Sequence, residues 1–216
     1  MVKVEYIIVA VVAVLLLAGV GYVAYDQGLL KGTLGGTQAN TTSPDTTVSG
    51  DDEAIISQPV SALTALSSIE GNSKFTDWKS GKKTVYATDI SSEDCANGLS
   101  TTWTFTYVSD DEQAIVIYDS GRIANILTTP LQTDVKNIPA LALNGVIDSD
   151  KADSLAAANA TASGKSITGT ASAELSTGAQ NTSNWDVIYR VTDGYYRVRL
   201  NSVSGSVVET KSYSMG

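Results

Sequence analysis

The sequence contains no histidine, a single cysteine and few charged side chains, and each shortage excludes a class of function. Without histidine there is no imidazole to act as a general base, to complete a Ser-His or Cys-His pair, or to bind zinc or haem. A lone cysteine, Cys95, cannot form a disulfide within the chain, so packing must stabilise the fold. Charged residues make up 17% of the chain and the net charge is −9, which disfavours nucleic acid and anionic lipid surfaces as partners.

The local motifs of common catalytic sites are also missing. No phosphate-binding loop, nucleophile elbow, CxxC or HExxH pattern occurs. Two acidic clusters, at 51–53 and 110–112, offer hard oxygen ligands for calcium, but neither has EF-hand spacing and solvated loops commonly have this composition. Cys95 directly follows Glu93 and Asp94, and neighbouring carboxylates raise the pKa of a thiol. We therefore predict a protein that is not an enzyme and that binds no cofactor or metal.

One long apolar run is present, at residues 6–25, with twenty residues and no charge among them. About 20 apolar residues cross the ~30 Å hydrocarbon core of a bilayer as a helix. Tyrosines lie at both ends of the run, where amphipathic rings prefer the headgroup level. The run predicts a hydrophobic N-terminal helix over 1–31 that spans a membrane or packs in the core of a filament. A cleaved signal peptide is the alternative, with small residues at 19–21, but the residues before the run carry no net charge.

Glu5 directly precedes this apolar run. A mature type IV pilin carries glutamate at its fifth position, followed by a long apolar helix, and the first 25 residues resemble that pattern if Met1 is the residue left after prepilin processing. The resemblance implies a filament with these helices in its core. Because a carboxylate in an apolar setting is costly unless paired, Glu5 would then meet the N-terminal amine of a neighbouring chain, or Lys3. If Met1 is the initiator, the position of Glu5 carries no such meaning.

Behind the helix, the chain divides into a linker and two segments that share one order of elements. A Gly/Thr/Ser-rich stretch at 32–56 is typical of a flexible linker. The order helix, strand, hairpin, strand then occurs twice, at 57–130 and at 146–216, with a connector at 131–145 between them. We therefore predict two repeats of about 80 residues each.

The tryptophans align the two repeats. Trp103 and Trp185 lie 82 residues apart and open strands of similar pattern, WTFTY and WDVIY. Each repeat is predicted to contain one short helix, at 60–69 and at 150–160, packed on antiparallel strands. The predicted fold class is α+β: an N-terminal apolar helix followed by two small helix-plus-antiparallel-sheet repeats.

The second repeat resembles the PepSY domain family. The resemblance lies in IDSDKA at 147–152, in WDVIY at 185–189, and in YRVRLNSVSGSV at 196–207, which is similar to the family's Tyr-x-Val-x-Val-Asp-x-x-x-Gly-x-Val ending with Asn201 in place of Asp. It covers residues 146–213, and the first repeat matches more loosely. The resemblance implies small PepSY/cystatin-like α+β modules outside the membrane, often regulatory or inhibitory, and supplies no catalytic residues.

The second hairpin carries three arginines of this acidic protein: Arg190, Arg197 and Arg199. If the Asp-Gly pair at 193–194 forms the turn, Arg190 lies directly opposite Arg197, and like charges opposed across strands are destabilising. We predict that this face contacts an acidic segment of a neighbouring subunit. The alternative is a solvated face on which Asp186 and Glu209 supply local counter-charges.

These features favour a non-enzymatic extracellular structural protein, a pilin-like subunit of a surface filament. The alternative function is a single-span, membrane-anchored, extracytoplasmic PepSY-like binding or inhibitory module. The predicted partners are copies of itself in a helical homo-oligomer and the membrane, through residues 6–25, with no nucleic acid. The predicted assembly residues are Glu5, Lys3, Tyr6, Arg190, Arg197 and Arg199, and the candidate glycosylation sites are Asn40, Asn159 and Asn181.

Overall fold

The structure is a computed structural model that describes residues 58–178 and 182–215. The predicted N-terminal helix at 1–31 and the linker at 32–56 lie outside the described residues. Within the part of the chain that the structure describes, no helix has both the length and the hydrophobicity needed to cross a bilayer.

The described residues form three α-helices, one short 3-10 turn and eight strands. The helices are α1 (Ala62–Glu70), α2 (Ser73–Lys79) and α3 (Ser149–Ala162), and the 3-10 turn covers Val135–Asn137. The strands are β1 (Val85–Cys95), β2 (Thr102–Ser109), β3 (Glu112–Asp119), β4 (Arg122–Pro130), β5 (Ile167–Thr177), β6 (Ser183–Val191), β7 (Gly194–Asn201) and β8 (Val207–Ser214).

All eight strands belong to one antiparallel sheet, in the order β4-β3-β2-β1-β5-β6-β7-β8. The first strands of the two repeats, β1 and β5, pair at its centre, where Ile90 lies opposite Leu175. The prediction of two small α+β repeats, each with its own sheet, is therefore wrong, because the regular structure of the described residues is mostly strand and all of these strands form one continuous sheet. Joining β1 to β5 gives hydrogen-bond partners to two edges that would otherwise be left unpaired.

We call α1, α2 and β1–β4 the first half of the described fold, and α3 and β5–β8 the second half. One hydrophobic core serves both halves of the sheet. The helices lie on one face of the sheet, which we call the helix face; the opposite face is the open face. A row of fully buried side chains crosses the helix face from β3 to β7: Val116, Phe105, Ile90, Leu175, Trp185 and Leu200. The row passes through the β1–β5 pair without interruption, so the two halves share apolar contacts as well as backbone hydrogen bonds.

The two halves hold their tryptophans in the same way. The indole Nε1 of Trp103 donates to the carbonyl of Val60 at 2.9 Å, and that of Trp185 donates to the carbonyl of Ile147 at 2.9 Å. Each carbonyl belongs to the residue two positions before its helix begins. The 82-residue repeat in the sequence therefore corresponds to equivalent hydrogen bonds in the structure.

The N-termini of α1 and α3 meet where the halves join. Asp148, the N-cap of α3, accepts from the N–H of Ser149 at 2.7 Å. The same carboxylate accepts from the N–H of Leu63 in α1 at 3.0 Å and from the hydroxyl of Ser61 at 2.6 Å. One side chain thus satisfies N-terminal donors of two helices, at a place where both helix dipoles favour negative charge.

Ser149 is the first helical residue of α3 and connects three segments. Its Oγ accepts from the N–H of Ala62 at 2.9 Å and donates to the carbonyl of Gly98 at 2.6 Å. Gly98 has φ +72°, and a Cβ added there would lie 2.3 Å from the carbonyl oxygen of Ser149. The turn between β1 and β2 can approach α3 this closely only with glycine at that position.

Candidate binding surfaces

The open face of the second half carries an aligned set of charges, which we call the charged row: Glu174, Asp186, Arg199 and Glu209. Each comes from a different strand, β5 to β8, and each is the cross-strand partner of the next. Side chains on directly opposed residues of antiparallel strands lie close together on one face. The alternation of the four strands therefore brings four charged groups into one line.

The charged row is held by short ion pairs. Arg199 binds the carboxylate of Asp186 with its Nε at 3.1 Å from both oxygens and with its Nη2 at 2.6 Å from Oδ2. The neighbouring Arg197 places its Nη2 2.5 Å from Oε2 of Glu209. Asp186 is 7% exposed, and a carboxylate that is buried to this degree needs such a partner. Asp186, Arg199 and Glu209 are therefore joined by ion pairs, and Glu174 is exposed at the end of the row.

The register of this hairpin differs from the predicted one. Val191 pairs with Gly194, so Arg190 lies opposite Tyr195 and the predicted opposition of Arg190 and Arg197 is wrong. In the observed register, each residue of β6 lies opposite a residue two positions earlier in β7 than predicted. A shift of two residues leaves every side chain on the same face of the sheet, because side chains alternate between the faces with a period of two. The hydrophobic pattern fits both registers equally, and it could not select between them.

The structure gives the three predicted arginines different surroundings. Arg190 is exposed, whereas Arg197 and Arg199 contact Asp186 and Glu209 of the same chain. These are the local counter-charges of the alternative interpretation. Contact of this face with a neighbouring subunit stays a prediction.

The acidic cluster at 110–112, whose carboxylates could serve as calcium ligands, has a contact within the chain. Lys82 Nζ lies 2.5 Å from Oε1 of Glu112 and 3.6 Å from Oδ1 of Asp111. In the described residues, no group of three or more acidic, cysteine or histidine side chains is arranged to hold a metal ion. The second acidic cluster, at 51–53, lies outside the described residues.

A carboxyl group that titrates near neutral pH lies on the open face where the halves join. Asp89 of β1 is the cross-strand partner of Ser176, so it is a diagonal neighbour of Glu174. Burial, followed by the negative charge of Glu174, raises the pKa of Asp89 to about 7. The charge on this part of the open face therefore changes across physiological pH.

A cavity of about 240 Å³ lies between α3 and the ends of β1 and β5. It is lined by Cys95, Ala96, Asn97, Asp153, Ala157, Ile167, Gly169, Thr170, Ala171 and Tyr189. The hydroxyl of Tyr189 donates to the backbone carbonyl and to Oδ1 of Asp153, both at 2.9 Å. The cavity therefore combines small apolar side chains with one buried carboxyl and one buried phenol.

The groups in this cavity are suited to hydrogen bonding rather than to nucleophilic attack. Burial is the main cause that raises the pKa of the Cys95 thiol to about 11, so the thiol stays protonated at neutral pH. The sequence predicted a raised thiol pKa from neighbouring carboxylates, but these are secondary to burial. Burial also raises the pKa of Asp153, and the hydrogen bond from Tyr189 opposes this shift.

Comparison with known proteins gives one likeness of fold. No protein family and no curated protein matches the sequence. The fold is similar to the crystal structure of a "putative lipoprotein" from Clostridium difficile 630, at 16% identity and a TM-score of 0.50, over 64% of this chain and 89% of that chain. At this identity the likeness shows the fold alone. The resemblances to PepSY domains and to type IV pilins stay predictions.

Most of the other predicted site residues are outside the described part of the chain: Glu5, Lys3, Tyr6, Asn40 and Asn181. Asn159 lies in α3, where its Oδ1 accepts from the hydroxyl of Tyr196 at 3.1 Å. Its glycosylation stays a prediction.

Two residues of interest, Asp89 and Asp153, were missed in the sequence. Asp153 could have been found by aligning the two helices, because it occupies the place of the apolar Leu66 four residues after its helix begins. Asp89 could not have been found in the sequence, because its environment arises from the pairing of β1 with β5, and no local pattern indicates that pairing.

Proposed function

We propose that the protein is a non-enzymatic binding protein held at the outer side of a membrane, and that it binds its partner with the open face of the sheet. The charged row is the observation that carries this proposal. Ion pairs join Asp186, Arg199 and Glu209 of this row across three adjacent strands, and strands hold recognition groups more accurately than loops do. Fixed charges on an open sheet select a partner by electrostatic complementarity.

Two further observations support the proposal. The structural neighbour is described as a "putative lipoprotein", and a lipid anchor holds a protein at a membrane surface. In this chain the uncharged run at 6–25 would act as the anchor, with the linker at 32–56 between membrane and sheet. The protonated Cys95 thiol fits a binding role better than a catalytic one.

The pilin-like filament subunit remains the second candidate, and it rests on the sequence around Glu5. The two candidates differ in what surrounds residues 6–25: lipid for an anchored binding protein, and copies of the same helix for a filament. A photo-crosslinking residue at Val11 in the full-length protein, expressed in cells, distinguishes them. A ladder of multimers of the chain itself would favour the filament, and crosslinks to lipid alone would favour the anchor.

A second photo-crosslinking experiment tests the open face. Ile188 is half-buried on the open face of β6, beside the arginines, and Ser154 is exposed on α3. We expect a photo-crosslinking residue at Ile188 to give a discrete product with another extracytoplasmic protein and one at Ser154 to give none. Equal yields at the two positions, or no product at Ile188, would contradict binding through the open face. Protease added outside intact cells should digest the protein, and resistance would contradict the location.

A further inference from the structure

The last strand, β8, is an exposed edge of the sheet. All eight residues of β8 are exposed, and among the described residues no strand pairs with its outer side. Exposed edge strands present unpaired N–H and C=O groups to other chains, and proteins commonly block them. The other edge strand, β4, ends in Pro130, which lacks an N–H, whereas β8 contains neither proline nor glycine.

Exposed apolar side chains concentrate at this edge. Eight of the described residues have large hydrophobic side chains that are more than a third exposed. Six of them lie in or next to the β7–β8 hairpin: Tyr195, Val203, Val207, Val208, Tyr213 and Met215. The β4 edge contributes only Leu127 to this set. The distribution indicates that the β8 edge, rather than the β4 edge, is built to be covered.

The hydrogen-bond pattern shows which backbone groups of β8 point outward. The N–H of Met215 donates to the carbonyl of Asp193, so position 215 faces β7. Because hydrogen-bonded and non-hydrogen-bonded positions alternate in an antiparallel pair, positions 213, 211 and 209 also face β7. The N–H and C=O groups of Thr210 and Ser212 therefore point away from the sheet.

We propose that β8 pairs with β8 of a second copy of the chain, antiparallel and centred on Thr210. In this register Thr210 faces Thr210 of the second copy, and Glu209 faces Lys211 of the second copy on each side of the two-fold axis. Centring the pair one residue earlier would oppose the two glutamates, and one residue later would oppose the two lysines. The central register alone forms two opposite-charge pairs and no like-charge pair at the centre.

The local geometry favours the same register. The outward N–H and C=O groups of Thr210 make its pair a hydrogen-bonded one, so Glu209 and Lys211 fall in the non-hydrogen-bonded pairs, where side chains approach more closely. The contacts of Glu209 with Arg197 and Arg199 are both made by Oε2, and Oε1 can accept from Lys211 of the second copy. Glu209 and Lys211 lie on the open face of both copies, since a two-fold axis perpendicular to the sheet preserves its faces.

The pairing joins two sheets into one and brings the charged rows of the two copies end to end. The inference depends on β8 itself and not on the proposed function. It predicts a dimer that assembles whether or not the open face binds a partner, and membrane attachment would raise the effective concentration of the two copies.

Thiol cross-linking of the full-length protein in detergent micelles tests the register. In Thr210→Cys, the two introduced thiols would lie across a strand pair with Cα atoms about 5.5 Å apart, within disulfide reach. Thr128→Cys on the exposed β4 edge is the matched control, and the native Cys95 is buried in both variants. We expect oxidation to give a disulfide-linked dimer of Thr210→Cys only. No dimer, or equal dimer from both variants, would overturn the proposal.

Charge exchange gives an independent test by mass photometry or sedimentation. Lys211→Glu replaces two attractive pairs by two repulsive ones and should weaken self-association by about tenfold. Lys151→Glu makes the same charge change on the exposed surface of α3 and should have no effect. Mixing Lys211→Glu with Glu209→Lys should restore association as a heterodimer, because both cross-strand pairs are then complementary. An unchanged dimer of Lys211→Glu would refute the pairing.

Discussion

Apart from α2, the two halves of the sheet have the same order of elements, but they fill one core position differently. In the second half, Asp153 of α3 accepts from the hydroxyl of Tyr189. The equivalent positions of the first half, four residues after the start of α1 and four after its tryptophan, are Leu66 and Tyr107. Leucine offers no acceptor, and the buried hydroxyl of Tyr107 has no hydrogen-bond partner among the described residues.

The first half covers its tyrosine with aromatic packing instead. Phe75 and Trp78 of α2 lie with their ring centroids 4.7 and 6.2 Å from that of Tyr107. The second half has no counterpart of α2 among the described residues, and it has the cavity beside Asp153 and the charged row. Functional sites are where proteins depart from uniform core packing, so the difference fits the proposal that the second half carries the binding groups.

The largest expected effect tests whether two such different halves unfold together. Trp103→Ala and Trp185→Ala each remove a fully buried indole and should lower the free energy of unfolding by about 3–5 kcal/mol. Because the halves share one core row, either substitution should shift a single transition in denaturant, with the same midpoint by circular dichroism and by fluorescence of the remaining tryptophans. Two transitions, only one of them shifted, would show that the halves are independent.

The next prediction concerns the contact between the halves. Asp148 caps α3 and also accepts from α1, so Asp148→Ala should cost about twice the usual ~1 kcal/mol of a single cap. Asp150→Ala removes an exposed acidic residue from the same first turn and should cost a few tenths of a kcal/mol. Urea denaturation of both variants checks the ratio. Equal losses would mean that Asp148 does not bridge the helices.

The sequence predicted those elements of the two halves whose formation depends on residues close together in the chain. The strand pattern around the two tryptophans, and the helix at 149–162, follow from periodicity and capping. The helix α2 was missed because its seven residues are too few to show a helical period, although Asn72 at its N-cap was an available signal. The β1–β5 pairing was missed because strands about 80 residues apart leave no mark on the local pattern that would reveal their register.

The pH dependence of the unfolding free energy tests the raised pKa of Asp89, which lies where the two halves of the sheet meet. The folded pKa of Asp89 is about 7 against about 3.9 for an unfolded aspartate, so the folded state binds more protons between these values. The resulting stability is present below about pH 4 and is lost as the pH rises toward 7. In Asp89→Asn this loss should disappear from the unfolding free energies measured between pH 4.5 and 7.5.

The control for this measurement is Asp94→Asn, which neutralises an exposed carboxylate of the same strand. A hydrogen bond with Ser91 lowers the pKa of Asp89 and the charge of Glu174 raises it, and Glu174→Gln should retain part of the pH dependence because burial is the first cause of the shift. A pH profile of Asp89→Asn that matches the wild type would show that the open face does not perturb this carboxyl.

The smallest effects compare the two tyrosines directly. Burial raises the pKa of both phenols, so both hydroxyls are protonated and both should donate, yet only Tyr189 has an acceptor in the described residues. Tyr189→Phe should lower the free energy of unfolding by about 1–2 kcal/mol, because it removes the bond and leaves Oδ1 of Asp153 buried without that donor. Tyr107→Phe removes a hydroxyl that is costly to bury unpaired, so it should be neutral or stabilise by up to about 1 kcal/mol. Urea denaturation of the two variants under one condition gives the comparison. Equal destabilisation would mean that the hydroxyl of Tyr107 also donates to an acceptor, and that both halves satisfy their buried phenol with a hydrogen bond.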